Sequence, residues 1–401
     1  MRIPALLCAA VLAAAAAGPV AAAQSFEKTD TYKNPAIKAG GSLSLSNLVG
    51  HVSVVTAADG VLSVDSKVVA ASGSDAEAQA LAAKLKIVPQ VDGNSVTLHA
   101  EYPLDDYTEY YYHGNGSNFG MSTSTVSYDG ERVRISNGTF GSGANLHADF
   151  VVHVPKGVHV TVDNKVGLIE ASGVNAPLTL KSASGDIKAE KGSDSLSGDT
   201  GSGDITVTDH NGAVKMDTGS GDIILTHQKG GDVDADTGSG DVNLTDVAGT
   251  LTADTGSGDV NLQKYSGNGA KLDTGSGSIV IHDATGSMKL EAGSGDITAT
   301  GFKAGQVLEI STGSGSVSIE GDLGDVLRLS ADAGSGDITI RTSRVPSLHI
   351  TATSDSGDVD VDLPGMQNVS AKHHSIRADV NGAKGTAELD ASSGDVSFTK
   401  S

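Results

Sequence analysis

Of 401 residues only one is cysteine, Cys8, none is tryptophan, and aromatic residues make up 3%. A lone thiol excludes a disulfide framework and a thiolate metal site. So few rings leave little material for a conventional core, in which aromatic side chains supply much of the buried area. Basic residues are scarce beside acidic ones, 27 Lys and Arg against 49 Asp and Glu, for a formal charge of -22. That imbalance repels nucleic acid and anionic lipid headgroups, and keeps an exported chain soluble. Long apolar runs are missing too. The single one, Ala5 to Ala17, is shorter than the roughly 20 residues that a membrane span requires.

That run follows Arg2 and leads into Ala21-Ala22-Ala23-Gln24, the pattern of a secretory signal peptide over residues 1–23 with cleavage after Ala23. Cys8 is preceded by Leu6-Leu7 rather than by the small residues of a lipidation site. The mature chain is therefore expected to be exported, periplasmic or at the cell surface, with no thiol and no transmembrane segment.

What the chain does have is glycine, 52 residues of it, and a period. A small pair followed by Asp or Ser and then Ile or Val recurs with its third residue at 186, 204, 222, 241, 259, 278, 296, 316, 337 and 358, spacings of 18 to 21, and again at 395. A weak copy, Val166-Gly167-Leu168-Ile169, precedes the series, and His374-Ser375-Ile376 falls where a turn is due in the long last interval. Within one unit Asp204-Ile205-Thr206-Val207 alternates, Thr208 to Gly212 turns, and Val214-Lys215-Met216-Asp217 alternates again. Two short strands and a corner repeat. The odd-even phase breaks across Gly219 to Asp222, where glycine is expected to supply a positive φ.

A single unit cannot stand alone. About four buried aliphatic side chains at roughly 1.5–3 kcal/mol each do not offset the ordering of eighteen residues at about 1.5 kcal/mol apiece. Stacking supplies the missing terms, because every strand hydrogen-bonds to the units above and below. The expected fold is all-β, a parallel β-helix (β-solenoid) of about thirteen coils over residues 145–401, roughly 60 Å long at a rung spacing of about 4.8 Å. Ile205, Ile223, Val242, Val260, Ile279 and Ile297 form its inward ladder.

Before it lies a small α+β capping module, residues 24–102. Asn47-Leu48-Val49-Gly50-His51 is a distant echo of the repeat turn, Ser74-Asp75-Ala76-Glu77 is a capping box opening a helix that runs to Lys86, and Ile87 to Ala100 reads as a hairpin around Asp92-Gly93. Residues 103–144 form a Tyr/Gly/Ser-rich insert loop holding Tyr107, Tyr110, Tyr111 and Tyr112, a contact site for a partner or a packing element. No cover is visible at the C-terminus, so a partner or a local bend is expected to protect the last coil.

The Asn47 to Val52 turn, the helix-bearing module, the step Val152-His153-Val154-Pro155-Lys156-Gly157-Val158 and the iterated Ser-Gly-Asp-Ile/Val units together resemble the bacterial adhesin-like β-strand-repeat family of envelope proteins. The resemblance implies a parallel β-helix outside the cytoplasm. It brings no catalytic residues.

Four chemical readings compete with a plain scaffold. Asp199-Thr200-Gly201-Ser202 reproduces the aspartic-protease string, but its recurrence at Asp217, Asp236, Asp254 and Asp273 is that of a structural corner, whereas the protease needs two facing copies. Calcium is suggested by Asp-x₄-Asp pairs, Asp199/Asp204, Asp217/Asp222, Asp236/Asp241 and Asp254/Asp259, which would repel when stacked unless a cation or corner amides engage them. The adjacent His373-His374 would point to opposite faces of a strand and make a poor chelate. A polysaccharide-acting β-helix needs basic groups or a carboxylate pair and aromatic platforms, in which the repeats are poor. The expected function is a non-catalytic, cofactor-free envelope protein presenting a β-helical surface to a protein or glycan. A calcium-stabilised rod and a polysaccharide-acting enzyme are the alternatives.

Overall fold

The computed structural model describes residues 24–114, 123–137 and 143–401. The expected signal peptide and parts of the insert, residues 115–122 and 138–142, lie outside the described residues. The chain is all-β, and each repeat contributes one strand to each of two ladders, which define two faces. On the first face Leu196–Thr200, Val214–Thr218 and Val233–Thr237 pair in parallel, with Leu196, Val214 and Val233 in register. On the second, Ile205, Ile223, Val242, Val260, Ile279 and Ile297 stand one above another in successive parallel strands and are buried, as the alternation predicts. The core runs between the two faces as columns of aliphatic side chains, each packed on its copies above and below.

The glycine corner differs from expectation in its physical cause. Gly203, Gly221, Gly240 and Gly258 do not lie in the left-handed region. A Cβ on any of them would instead collide with the carbonyl oxygen of the glycine one coil below, Gly221 with Gly203 and Gly240 with Gly221. Glycine is needed because backbone approaches backbone there. The polar groups so enclosed are satisfied by a buried threonine: Thr237 Oγ1 donates to the Gly221 carbonyl at 2.8 Å and accepts from the Gly240 amide at 3.1 Å. Thr218, Thr255, Thr274 and Thr312 repeat the arrangement. Asn47 and Asn164 occupy the equivalent position at the start of the stack, where the Asn47 side-chain amide donates to Asn164 Oδ1 at 2.8 Å.

Positive φ gathers instead at the opposite corner, much of it on residues other than glycine. Lys191, Asp209, His227, Asp246, Lys264 and Asp283 have φ between 52° and 57°, with Gly173 and Gly301 in the same column. Asp and His tolerate this conformation better than most residues. Lysine has no short polar side chain that could bond its own backbone there.

Both ends depart from plain stacking. At the N-terminal end Ser42–Val49 and Val52–Thr56 pair in register beneath His159–Val166 and Ile169–Ser172, so the Asn47–His51 echo stacks with the true turns. Beyond them the sheet turns antiparallel: Ser95–Glu101 pairs with Lys86–Asp92 on the first face, and Asn145–Val154, Leu62–Ser72 and Gln24–Asn34 follow in order on the second. The helix is shorter than its capping box implies, Asp75–Ala82 rather than to Lys86, because Lys86 already begins a strand. The 103–144 insert is not a plain loop. Glu109–Tyr111, Thr123–Tyr128 and Glu131–Ser136 form a three-stranded sheet, its hairpin turning at Asp129-Gly130 with φ of 51° and 83°, a turn legible as Asp-Gly between two alternating runs.

At the C-terminal end the expected order fails. His374-Ser375-Ile376 is not a degenerate coil: Met366–Lys372 and Ser375–Val380 form an antiparallel hairpin, and Ser375–Val380 lies antiparallel along Leu348–Ser354, covering that edge. His373-His374 forms the hairpin's turn, rings 4.3 Å apart, rather than alternating along a strand. The final coil, Gly385–Ala391 with Val396–Lys400, does not stack last. It lies between Arg328–Thr342 and Leu348–Asp362.

Two outcomes check this account of the corners. Thr237→Val keeps the shape but strands an enclosed carbonyl and amide, and is expected to cost about 1–3 kcal/mol in denaturant unfolding. Thr237→Ser is expected to be mild, since Ser354 already fills the equivalent position, with bonds of 2.8 and 2.7 Å to Gly394 and Gly357. In the second comparison Gly221→Ala is expected to lose about 1–3 kcal/mol or more through backbone overlap. Lys264→Gly, which removes a left-handed cost of roughly 1–2 kcal/mol against a glycine entropy penalty of about 0.5–1, is expected to lose nothing. Equal losses in both would contradict the division of labour between the corners.

Candidate binding surface

The outward positions of the two faces differ in charge. On the first face Asp199, Asp217, Asp236, Asp254, Asp273 and Glu291 stand in register in consecutive strands, a carboxylate column at rung spacing. Partial burial pushes the Asp236 and Asp254 carboxyls above the usual aspartate range, and the neighbouring Asp217 and Asp273 carboxylates push in the same direction. Lysines relieve some of this repulsion, Lys215 with Asp234 at 3.4 Å, Lys271 with Asp273 at 3.5 Å and Lys289 with Glu291 at 3.0 Å.

The second face is nearly free of charge over the same coils. Its outward columns read Thr206, Ile224, Asn243, Asn261, Val280, Thr298 and Thr208, Thr226, Thr245, Gln263, His282, Thr300. These side chains bond along the column: the Asn261 amide donates to Asn243 Oδ1 at 3.1 Å, and His282 Nδ1 lies 2.6 Å from Thr300 Oγ1. The result is a flat array of hydroxyl and amide groups with apolar gaps.

Towards the N-terminal module this face deepens into three depressions. One, of 340 Å³, is lined by Ser53, Glu170, Ser172, Lys188 and Glu190, and the next, of 480 Å³, shares Ser53 and adds Thr31, His51, Asp65 and Lys67. The third, of 450 Å³, shares Thr31 and Asp65 and adds Lys33, Asp59 and His153. Their polar groups are paired across strands, His51 with Glu170 at 3.2 Å, His153 with Asp65 at 3.1 Å and Lys67 with Asp149 at 3.5 Å. The Thr31 hydroxyl, donating to Asp65 at 2.7 Å, holds that carboxyl below the usual range. The depressions adjoin through shared lining residues, and their charged groups are of both signs.

The residues singled out in the sequence separate into distinct roles. The two members of each Asp-x₄-Asp pair belong to different ladders. Asp199, Asp217, Asp236 and Asp254 point outward in the carboxylate column, whereas Asp204, Asp222 and Asp241 lie at the corner, each Oδ1 accepting the amide of the next corner residue at 2.8–2.9 Å. Asp259 does the same for the Ser278 amide. Among the described residues no three His, Cys, Asp or Glu side chains gather for a metal ion. The Asp-Thr-Gly-Ser string is accounted for residue by residue: outward acid, buried hydroxyl, close-packed corner.

Display of the tyrosines does not hold for Tyr110 and Tyr112, which are buried. Tyr110 stacks edge-on to Tyr102 at 5.5 Å and Tyr112 edge-on to His147 at 5.0 Å, because the three-stranded sheet turns alternate side chains onto the N-terminal module. Tyr111 is half-buried, and so is Tyr107, whose ring lies 5.1 Å from the Lys84 ammonium. Sequence reasoning missed Tyr102, whose hydroxyl shares its one proton between Asn47 Oδ1 at 3.0 Å and the Val49 carbonyl at 2.9 Å, tying module to stack.

Fold and surface together define an all-β, β-solenoid-like repeat protein. Family models match residues 122–264, 213–326 and 250–399, and the chain belongs to the Toastrack family DUF4097. No curated protein matches it. A solved structure described as a "putative cell adhesion protein" from Clostridium sporogenes is similar at 10% identity, covering 94% of this chain and 100% of that one with a TM-score of 0.21, too low a score to carry a structural argument. No described helix is long and apolar enough to cross a membrane.

The carboxylate column makes one prediction. Asp254→Asn removes a charge whose neighbours repel it, so the variant is expected to melt higher than the parent at neutral pH and low salt. Because the folded-state value is raised above 3.8, the penalty is present at neutral pH and disappears as protonation proceeds towards that value. The difference between the two melting temperatures should therefore shrink on acidification and with added salt. A difference that grows under either condition would contradict the repulsion.

Proposed function

We propose that this chain is an exported, non-catalytic scaffold of the cell envelope, and that the nearly uncharged stretch of the second face, from Thr206 to Thr300, is its binding surface for a protein or glycan. About thirteen coils form the rod, with the N-terminal β/α module and the 366–380 hairpin as its two covers. What carries the reading is the array on that face, Thr206 to Thr300, in which hydroxyl and amide groups repeat at rung spacing with almost no formal charge. Such a surface matches a neutral polymer of repeating hydroxyls or an extended backbone, and loses little solvation energy on contact because no ion is desolvated. The acidic first face keeps the rod soluble and turns the other face to its partner. Membership of the Toastrack family and the signal-like N-terminus support the envelope setting.

Retention on isolated envelope fractions and on immobilised neutral polysaccharides tests the assignment of the face. Asn243→Glu with Asn261→Glu is expected to weaken retention about tenfold, equivalent to ~1.4 kcal/mol, while Asp217→Asn with Asp254→Asn leaves it unchanged. Loss on neutralising the acidic column, with the Glu variants retained as before, would reverse the assignment.

A further inference from the structure

The final coil is held out of sequence order. Coils 328–342 and 348–362 are neighbours in the chain, yet the segment 385–400 separates them. On the first face Leu329, Ala387 and Ile350 are in register, and on the second Ile338, Val396 and Val359. The inserted segment is used as fully as any interior coil: Ala387, Leu389, Ala391, Val396 and Phe398 are buried. Its corner continues the aspartate ladder in both directions, Asp337 Oδ1 accepting the Asp395 amide and Asp395 Oδ1 accepting the Asp358 amide, each at 2.8 Å.

This slot has two open strand edges on each side, and what fills it is a unit of the same repeat. Withdrawing the coil leaves four strand edges of unpaired amides and carbonyls and an apolar gap, which only a segment of matching length, alternation and glycine corner can satisfy. A second copy of the chain carries that segment. The connection holding the coil in place is short and strained: Asn381, Gly382 and Ala383 have φ of 52°, 85° and 47° in succession, and alanine has no polar side chain to favour the left-handed region. Extending this connection relieves the strain, and strained short hinges favour exchange of an element between copies.

The geometry points to the 385–400 coil as an exchangeable element: the slot between coils 328–342 and 348–362 also receives the final coil of a second copy, joining two chains by reciprocal insertion. Every bond made within one chain is then made between two, so the exchanged and closed forms differ mainly in the hinge and in the entropy of association.

Cross-linking decides the matter. With Cys8→Ser removing the only thiol, Ser330→Cys and Glu388→Cys place two thiols on in-register neighbours across the slot. A chain carrying both is expected to lock under mild oxidant and keep the mass of one chain. Equal parts of the two single variants, mixed at high concentration and warmed before oxidation, are expected to yield a covalent species of twice that mass. This species should exceed any formed when Thr206→Cys, on the other face, replaces Glu388→Cys. Adding Gly394→Val to the Glu388→Cys chain is expected to abolish it, since a side chain there meets the Gly336 carbonyl. A locked double variant with no mixed dimer above the Thr206→Cys control overturns the exchange. A double variant that does not lock overturns the insertion itself, and the exchange with it.

Discussion

Backbone resting on backbone at the glycine corner is the contact on which the rest of this molecule depends. Strands in adjacent coils lie about 4.8 Å apart, and where the chain turns sharply at that spacing no side chain fits between one coil and the next. Glycine leaves room but also buries peptide groups. Thr218, Thr237, Thr255, Thr274 and Thr312 answer them with a hydroxyl bonded to the coil below and to its own turn, whereas Ala292 and Ala333 stand in the same column without one. The corner aspartates bond the next amide up. Thr-Gly-Ser-Gly-Asp is therefore a fastening, and its likeness to a protease string or half a calcium site follows from the same small and acidic residues doing a structural task.

Once the corner is set, side chains on each strand can only alternate inward and outward, and in-register stacking turns every position into a column. Over residues 199–300 the columns give the two faces different charge, acidic with interspersed lysines on one and almost uncharged on the other. One carries a line of carboxylates, in which partial burial first and the neighbouring carboxylates second raise the pKa of Asp236 and Asp254; the other carries mostly Thr and Asn with apolar residues between them. Stacking also makes the ends vulnerable, since an open coil is an open edge. Antiparallel strands flank the stack at the N-terminal end, and at the other end the 366–380 hairpin lies against Leu348–Ser354. The displaced final coil follows from the same logic, because all coils share one register and any of them can in principle sit beside any other.

Much of this was legible beforehand. The period, the Ile205 to Ile297 column and the Asn47–His51 echo all follow from spacing and alternation, because a strand's side-chain period of two survives whatever the tertiary context. The opposite corner was not legible. Lys191 and Lys264 adopt left-handed conformations that no propensity assigns to lysine, and the stack imposes them because neighbouring coils already turn there. The burial of Tyr110 and Tyr112 was equally hidden, since it depends on a small sheet folding back onto the module from which it emerges.

By itself the amino-acid sequence determined the repeat, the all-β class, the acidic balance and which residues face inward, each a consequence of local alternation and composition. Only the tertiary structure decided why the corner glycines are glycine, which coil lies beside which at the C-terminal end, and how outward residues sort into an acidic and a neutral face. Those are relations between segments that share the same pattern. A pattern repeated many times cannot say which of its copies will be neighbours.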